Sequence, residues 1–296
     1  MVEILDKFGL WALRAAWAVM PLTAGAVFDE AFTGSGLPVR SGASIALWVI
    51  WSLTLIAMMV PRSETLTALR IVVPAAVPAT VLAALSASSD GDLDTALAAL
   101  GVLTAVAAAV LALSSSIGET FIDGSSYGDE RRMPLKVPGP LLLGPLPLAW
   151  LGTVAGLTAG PWLLLTRHWI LGAVLSVLGF ALAAVLIRAL HVLTQRWVVF
   201  VPAGLVLHDG FALGEPVLFR RRSISSLGPA LADSNATDLT SNAVGLALEL
   251  TLDEPVDLTR AKRGEPATSE PLDDFLFSPS RPGAALAEAQ ARKLVQ

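Results

Sequence analysis

Residues 96–117, ALAALGVLTAVAAAVLALSSSI, carry no charge and are almost entirely Ala, Leu and Val. A helix rises about 1.5 Å per residue, so about 20 such residues cross the hydrocarbon core of a bilayer with every backbone polar group satisfied internally. The stretch therefore reads as a membrane span. Others flank it at 8–28, 43–60 and 66–88 upstream, and at 141–165 and 169–190 downstream. Six spans make residues 1–191 an α-helical transmembrane bundle. Arg14, Arg70 and Arg188 are its main internal charges, each within a turn or two of a span end, where the long stem stays apolar and the head reaches water. Pro74 and Pro78 are expected to bend the third span, and Pro145, Pro147 and Pro161 to bend or break the fifth.

The whole composition agrees. Hydrophobic residues make up 54% of the 296 and charged residues 15%, with a mean hydropathy of +0.67, far from the balance of a soluble domain. The absence of cysteine excludes disulfides, a thiolate nucleophile and thiolate metal sites. A net charge of −5 argues against nucleic acid as a partner.

Orientation follows from Lys and Arg in the short flanks. With a cytoplasmic amino terminus, Lys7, Arg14, Arg62, Arg70, Arg131, Arg132, Lys136, Arg188 and Arg196 gather inside, nine against only Arg40 and Arg167 outside. The outer turns hold Asp29, Glu30, Asp90, Asp92 and Asp94, and both termini are expected in the cytoplasm, across the plasma (cytoplasmic) membrane. A cleaved signal peptide is the alternative for the first span; Glu3 and Asp6 beside Lys7, with Trp11 and Trp17, favour a retained helix.

From about residue 195 the long apolar runs stop. Residues 195–296 read as a cytoplasmic domain. Trp197 to Val201 and Leu205 to His208, joined by Pro202, Ala203 and Gly204, form a hairpin; 216–221 adds a strand. In 244–252, Leu246, Leu248, Leu250 and Leu252 alternate with polar or small residues, the pattern of a half-buried antiparallel strand. A further strand is expected at 256–259, an edge at 275–277, a flexible loop over 260–274, and a closing helix over 282–295 with Ser280 as cap. The sum is a small α+β domain: an antiparallel β roll or partly open barrel with a C-terminal helix.

The hairpin RWVVFVPAGLVLH (196–208) followed by PVLFRRRSISSL (216–227) resembles the opening of a bacterial pleckstrin-homology-like domain. The whole chain resembles a family of uncharacterised actinobacterial multi-pass membrane proteins through YGDERR (127–132) and PGPLLLGPLP (138–147). The first resemblance implies a membrane-linked recognition module; the second implies no activity.

Chemistry-bearing constellations are sparse. His168, His191 and His208 fall in an outer turn, at an inner membrane edge and on a tail strand, so they do not converge on a metal. No nucleotide-binding loop and no Gly-x-Ser-x-Gly elbow occurs, and neither cofactor nor catalytic residue is assigned. Two polar regions remain. The inner loop 118–136 carries Asp123, Tyr127, Asp129, Glu130, Arg131 and Arg132, either as a docking loop for the tail or a partner, or as a solvated connector. Arg220, Arg221 and Arg222 form a basic run, and cations near anionic lipid contribute about 1 kcal/mol each. On a regular strand Arg220 and Arg222 share a face and Arg221 takes the other; edge protection is the alternative role. Together these point to a non-enzymatic membrane anchor presenting a module that binds lipid head groups, through Arg220, Arg222, Arg131 and Arg132, or another membrane or cytoplasmic protein. The alternatives are a small transporter or channel subunit, and a membrane enzyme acting on a lipid-linked substrate.

Overall fold

The computed structural model describes residues 2–88, 94–260 and 268–294. Helices α1 (Val2–Ala18), α2 (Met20–Ala31), α3 (Leu37–Ala57), α4 (Ser63–Ser88), α5 (Thr95–Leu113) and α6 (Ser115–Asp123) come first. Strand β1 (Arg131–Pro134) precedes α7 (Gly139–Leu142), α8 (Pro145–Leu165) and α9 (Trp169–Thr194). Then follow β2 (Trp197–Val201), β3 (Gly204–His208), β4 (Val217–Arg220), a 3-10 turn (Arg221–Ser223), β5 (Ile224–Pro229), β6 (Thr237–Asp238), β7 (Leu248–Arg260), β8 (Thr268–Phe277) and α10 (Pro282–Ala291). Asp90 and Asp92 of the expected outer turn, and the last expected helical residue, Val295, lie outside the described residues.

Among the described residues, six helical stretches are long and apolar enough to cross a membrane: Phe8–Ala31, Leu37–Ala57, Ser63–Ala87, Thr95–Leu113, Gly139–Leu165 and Trp169–Thr194. The chain forms two units, one of Met1–Phe121 with Ala149–Leu190, the other of Ile122–Leu148 with His191–Gln296.

In the helical unit the breaks have local causes. Pro21 has no N–H to give the Trp17 carbonyl, so the chain turns at Val19 between α1 and α2. The indole of Trp51 donates to that carbonyl at 2.8 Å, and the Trp17 indole donates back to the Trp51 carbonyl at 3.1 Å. Arg14 donates to the Met58 carbonyl at 3.3 and 2.8 Å. It thus caps the C-terminal end of α3, where carbonyls lack helical partners. The fourth span, expected to run to Ile117, ends four residues earlier: Ser114 is extended, and its hydroxyl accepts from the Ile117 N–H at 3.4 Å, starting α6 as an N-cap. In the fifth span the break precedes α8, whose first turn holds Pro145 and Pro147 where missing N–H groups cost nothing; only Pro161 is interior.

Helices α8 and α9 approach through glycine. A Cβ on Gly156 would stand 2.6 Å from the Gly179 carbonyl oxygen, one on Gly179 2.4 Å from that of Gly156, and one on Gly160 2.3 Å from the Ser176 nitrogen. Gly152, Gly156 and Gly160 recur every four residues, the small-residue spacing that lets apolar helices meet backbone to backbone. Elsewhere the unit shows large apolar side chains outward, Val177 at 70% and Ile170 at 84% exposed among them, an exposure too extensive for an ordinary water-facing surface.

The second unit is built from two open four-stranded sheets and α10. One sheet is antiparallel, in the order β1-β2-β3-β4; the other runs β5-β7-β8-β6, antiparallel except where β6 lies parallel to β8. Phe200, Leu205 and Phe219 of the first share one core with Leu248, Leu250, Phe275 and Phe277 of the second and with Ala285 and Ala289 of α10. The Phe219 and Phe275 rings stand 4.8 Å apart.

Several sequence expectations change. The loop 118–136 is not a connector throughout, because Arg131–Pro134 is a strand registered against Trp197–Phe200. The two strands expected at 244–252 and 256–259 are one, β7, with a register shift between Thr251 and Val256. Leu246 lies before β7 and is 48% exposed. Phe275–Phe277 belongs to a long strand with β7 on one side and β6 on the other, not to an edge. The expected flexible loop 260–274 is occupied largely by that β7–β8 pairing, with 261–267 outside the described residues. Ser280 does not cap α10: its N–H donates to the Pro134 carbonyl at 2.8 Å, and the cap position falls to Arg281.

Candidate functional site

Strand β4 ends at Arg220, and the 3-10 turn then breaks the period of two that would send Arg221 to the opposite face. The Arg221 N–H donates to the Ala203 carbonyl at 2.8 Å, holding the turn against the β2–β3 connection. All three arginines consequently line one cleft of about 730 Å³, with Ala203, Leu218, Ile224, Lys293 and Leu294.

Lys293 arrives by a separate device. The Leu294 N–H donates to the Ala289 carbonyl and the Lys293 N–H to that of Gln290, both at 2.9 Å, while Lys293 itself is left-handed with φ 54°. This is a Schellman ending with lysine where glycine is usual. Leu294 is buried as the apolar stop, and the strained position delivers a cation to the cleft. None of the side chains of Arg220, Arg221, Arg222 and Lys293 has an ion pair or hydrogen bond among the described residues. Four unneutralised cations around an apolar floor suit an amphiphilic anion: phosphate oxygens for the guanidinium forks, aliphatic carbon for Leu218 and Ile224.

The other sequence candidates are committed within the second unit. Arg131 pairs with Asp123 at 3.4 Å and Arg132 with Glu130 at 3.2 Å. The Arg132 N–H donates to the same Asp123 carboxylate at 2.9 Å. Glu130 accepts from the Tyr127 N–H at 3.4 Å, and the Asp129 carbonyl accepts from Arg292 at 2.6 Å. The Tyr127 ring is 85% exposed. These residues fold the 123–132 segment onto β2 and α10; they do not line the basic cleft.

One group escaped the sequence reading. Arg196 and Asp209 form a two-pronged ion pair at 2.6 and 2.6 Å, with side chains 2% and 1% exposed. Arg196 also donates to the Lys136 carbonyl at 2.8 Å, and Asp209 accepts from the Phe211 N–H at 3.0 Å. His208 stacks on Trp197 at 4.8 Å and contacts the Gln195 carbonyl at 2.9 Å. Partial burial lowers the Lys136 ammonium below its ordinary range. No cluster of three metal-ligating side chains occurs among the described residues.

No family model, no curated protein and no solved structure matches the chain.

Proposed function

We propose that this chain is an integral membrane protein of the plasma membrane, a non-enzymatic anchor whose helices hold a β-rich recognition module at the cytoplasmic surface. The module takes anionic phospholipid head groups in the cleft of Arg220, Arg221, Arg222 and Lys293. That cleft is the observation which carries the reading, since four free cations over an apolar floor match a phosphate joined to acyl carbon. The six apolar helices support the anchor, and the excess of Lys and Arg in alternate flanks supports the cytoplasmic side. A pleckstrin-homology-like character of the module, suggested by the segment 196–227, is part of this proposal. Only Gln195 and Arg196 separate α9 from β2, so the last apolar helix is joined to the module by a short link.

The test uses the full chain, because β1 precedes two spans and an isolated tail would lack it. Purified protein is loaded with mixed phosphatidylglycerol and phosphatidylcholine, and the retained lipid is read by mass spectrometry. The wild type is expected to retain the anionic lipid preferentially, and the triple variant R220E/R222E/K293E to lose that preference. Equal retention by both proteins would overturn the reading.

A further inference from the structure

The turn 241–247 precedes β7 and carries two outward apolar side chains, Val244 at 70% and Leu246 at 48% exposure. Its backbone is tightly bent, with Ser241, Asn242 and Gly245 all left-handed at φ 56°, 58° and 96°. Non-glycine residues adopt this conformation rarely and at a cost. The turn is tied to one place in the fold. The Asn242 carbonyl accepts from the Gly139 N–H at 3.1 Å, and a Cβ on Gly139 would stand 2.4 Å from that oxygen and 3.4 Å from the Val244 side chain. The Lys136 ammonium donates to the Leu246 carbonyl at 3.1 Å. Gly139 is the first residue of the stretch Gly139–Leu165 that is apolar and long enough to cross a membrane, and Leu143, four residues on, is 96% exposed.

We infer that the 241–247 turn is a bilayer-contact wedge, seating Val244 and Leu246 in the head-group and upper acyl region where the fifth span leaves the membrane. The inference rests on the membrane-spanning reading but not on the basic cleft. Gly139 opens α7, which leads through Leu143 and Gly144 into α8, so the turn bonded to it lies at the entry to the fifth apolar stretch, where two exposed aliphatic side chains have head-group and upper acyl carbon to enter. Lys136 fits the same boundary, its stem along the turn and its ammonium at head-group level. The wedge and the cleft are separate contacts, one apolar and one cationic.

The chain has no cysteine, so Val244→Cys and Leu246→Cys each introduce a single thiol for an environment-sensitive fluorophore. Val177→Cys in α9, 70% exposed, serves as the reference for a lipid-facing position. Each labelled full-length protein is placed in nanodiscs of phosphatidylcholine and phosphatidylglycerol, then exposed to nitroxide carried high on the acyl chain or to an aqueous nickel chelate. The expected result is strong quenching of the Val244 and Leu246 labels by the lipid nitroxide and little by the chelate. Quenching of Val177 by lipid with quenching of Val244 and Leu246 only from water would overturn the wedge and leave the spanning reading standing. Escape of Val177 itself from the lipid quencher would overturn both.

Discussion

Arg196 and Asp209 form a buried ion pair within the second unit, their side chains 2% and 1% exposed. Removing either leaves its partner charged in a site with almost no water, a loss of about 3–5 kcal/mol for buried pairs. The Arg196 guanidinium also reaches the Lys136 carbonyl, so the pair ties the segment before α7 to the segment after α9. Asp209→Asn is therefore expected to lower the unfolding temperature of the module, followed by tryptophan fluorescence, whereas R196M/D209L recovers much of the loss by replacing charge with apolar volume. An unchanged transition in Asp209→Asn would contradict this role. Nothing in the sequence marks the pair: Arg196 sits in a run of flank charges, and Asp209 ends a hairpin like any turn aspartate. The basic cleft was legible to a greater degree, because Arg220, Arg221 and Arg222 are adjacent. Strand alternation misplaces Arg221, since a 3-10 turn has no composition that announces it. Lys293 reads as an ordinary cation near a helix end, and only the Schellman geometry assigns it to the cleft.

Among the elements, the apolar helices were the most readable, since an all-round hydrophobic run long enough for a bilayer needs no tertiary context to declare itself. Their breaks were less so. The turn at Ser114 depends on one hydroxyl cap, and the approach of α8 to α9 through Gly156 and Gly179 shows in sequence only as small residues in an already small-residue-rich chain. Strand β1 is the least legible element: four residues, two of them arginine and one proline, with a partner strand beyond two long apolar helices. Its Met133 is buried at 3% exposure and belongs to the module core. Met133→Asp places an unpaired carboxylate there, which costs several kcal/mol. The expected outcome is proteolytic cleavage within 197–294 at protease levels that spare the wild type, with the helices still extracting as membrane protein. Wild-type protection in the variant would show that β1 is dispensable.

At the scale of the whole molecule, the β1–β2 ladder constrains topology more firmly than charge counting does. Residues 131–134 and 197–200 share one sheet, so under the proposed membrane reading the chain between them crosses an even number of times, and α8 with α9 supplies two apolar stretches. The flank charges add which side that is. Single cysteines introduced at Thr33, Tyr127 and Ser225, all exposed positions, test both statements with a membrane-impermeant maleimide on intact and permeabilised cells. The account requires Thr33→Cys to be labelled in intact cells, and Tyr127→Cys and Ser225→Cys to be labelled only after permeabilisation. Labelling of Tyr127→Cys or Ser225→Cys in intact cells would contradict it.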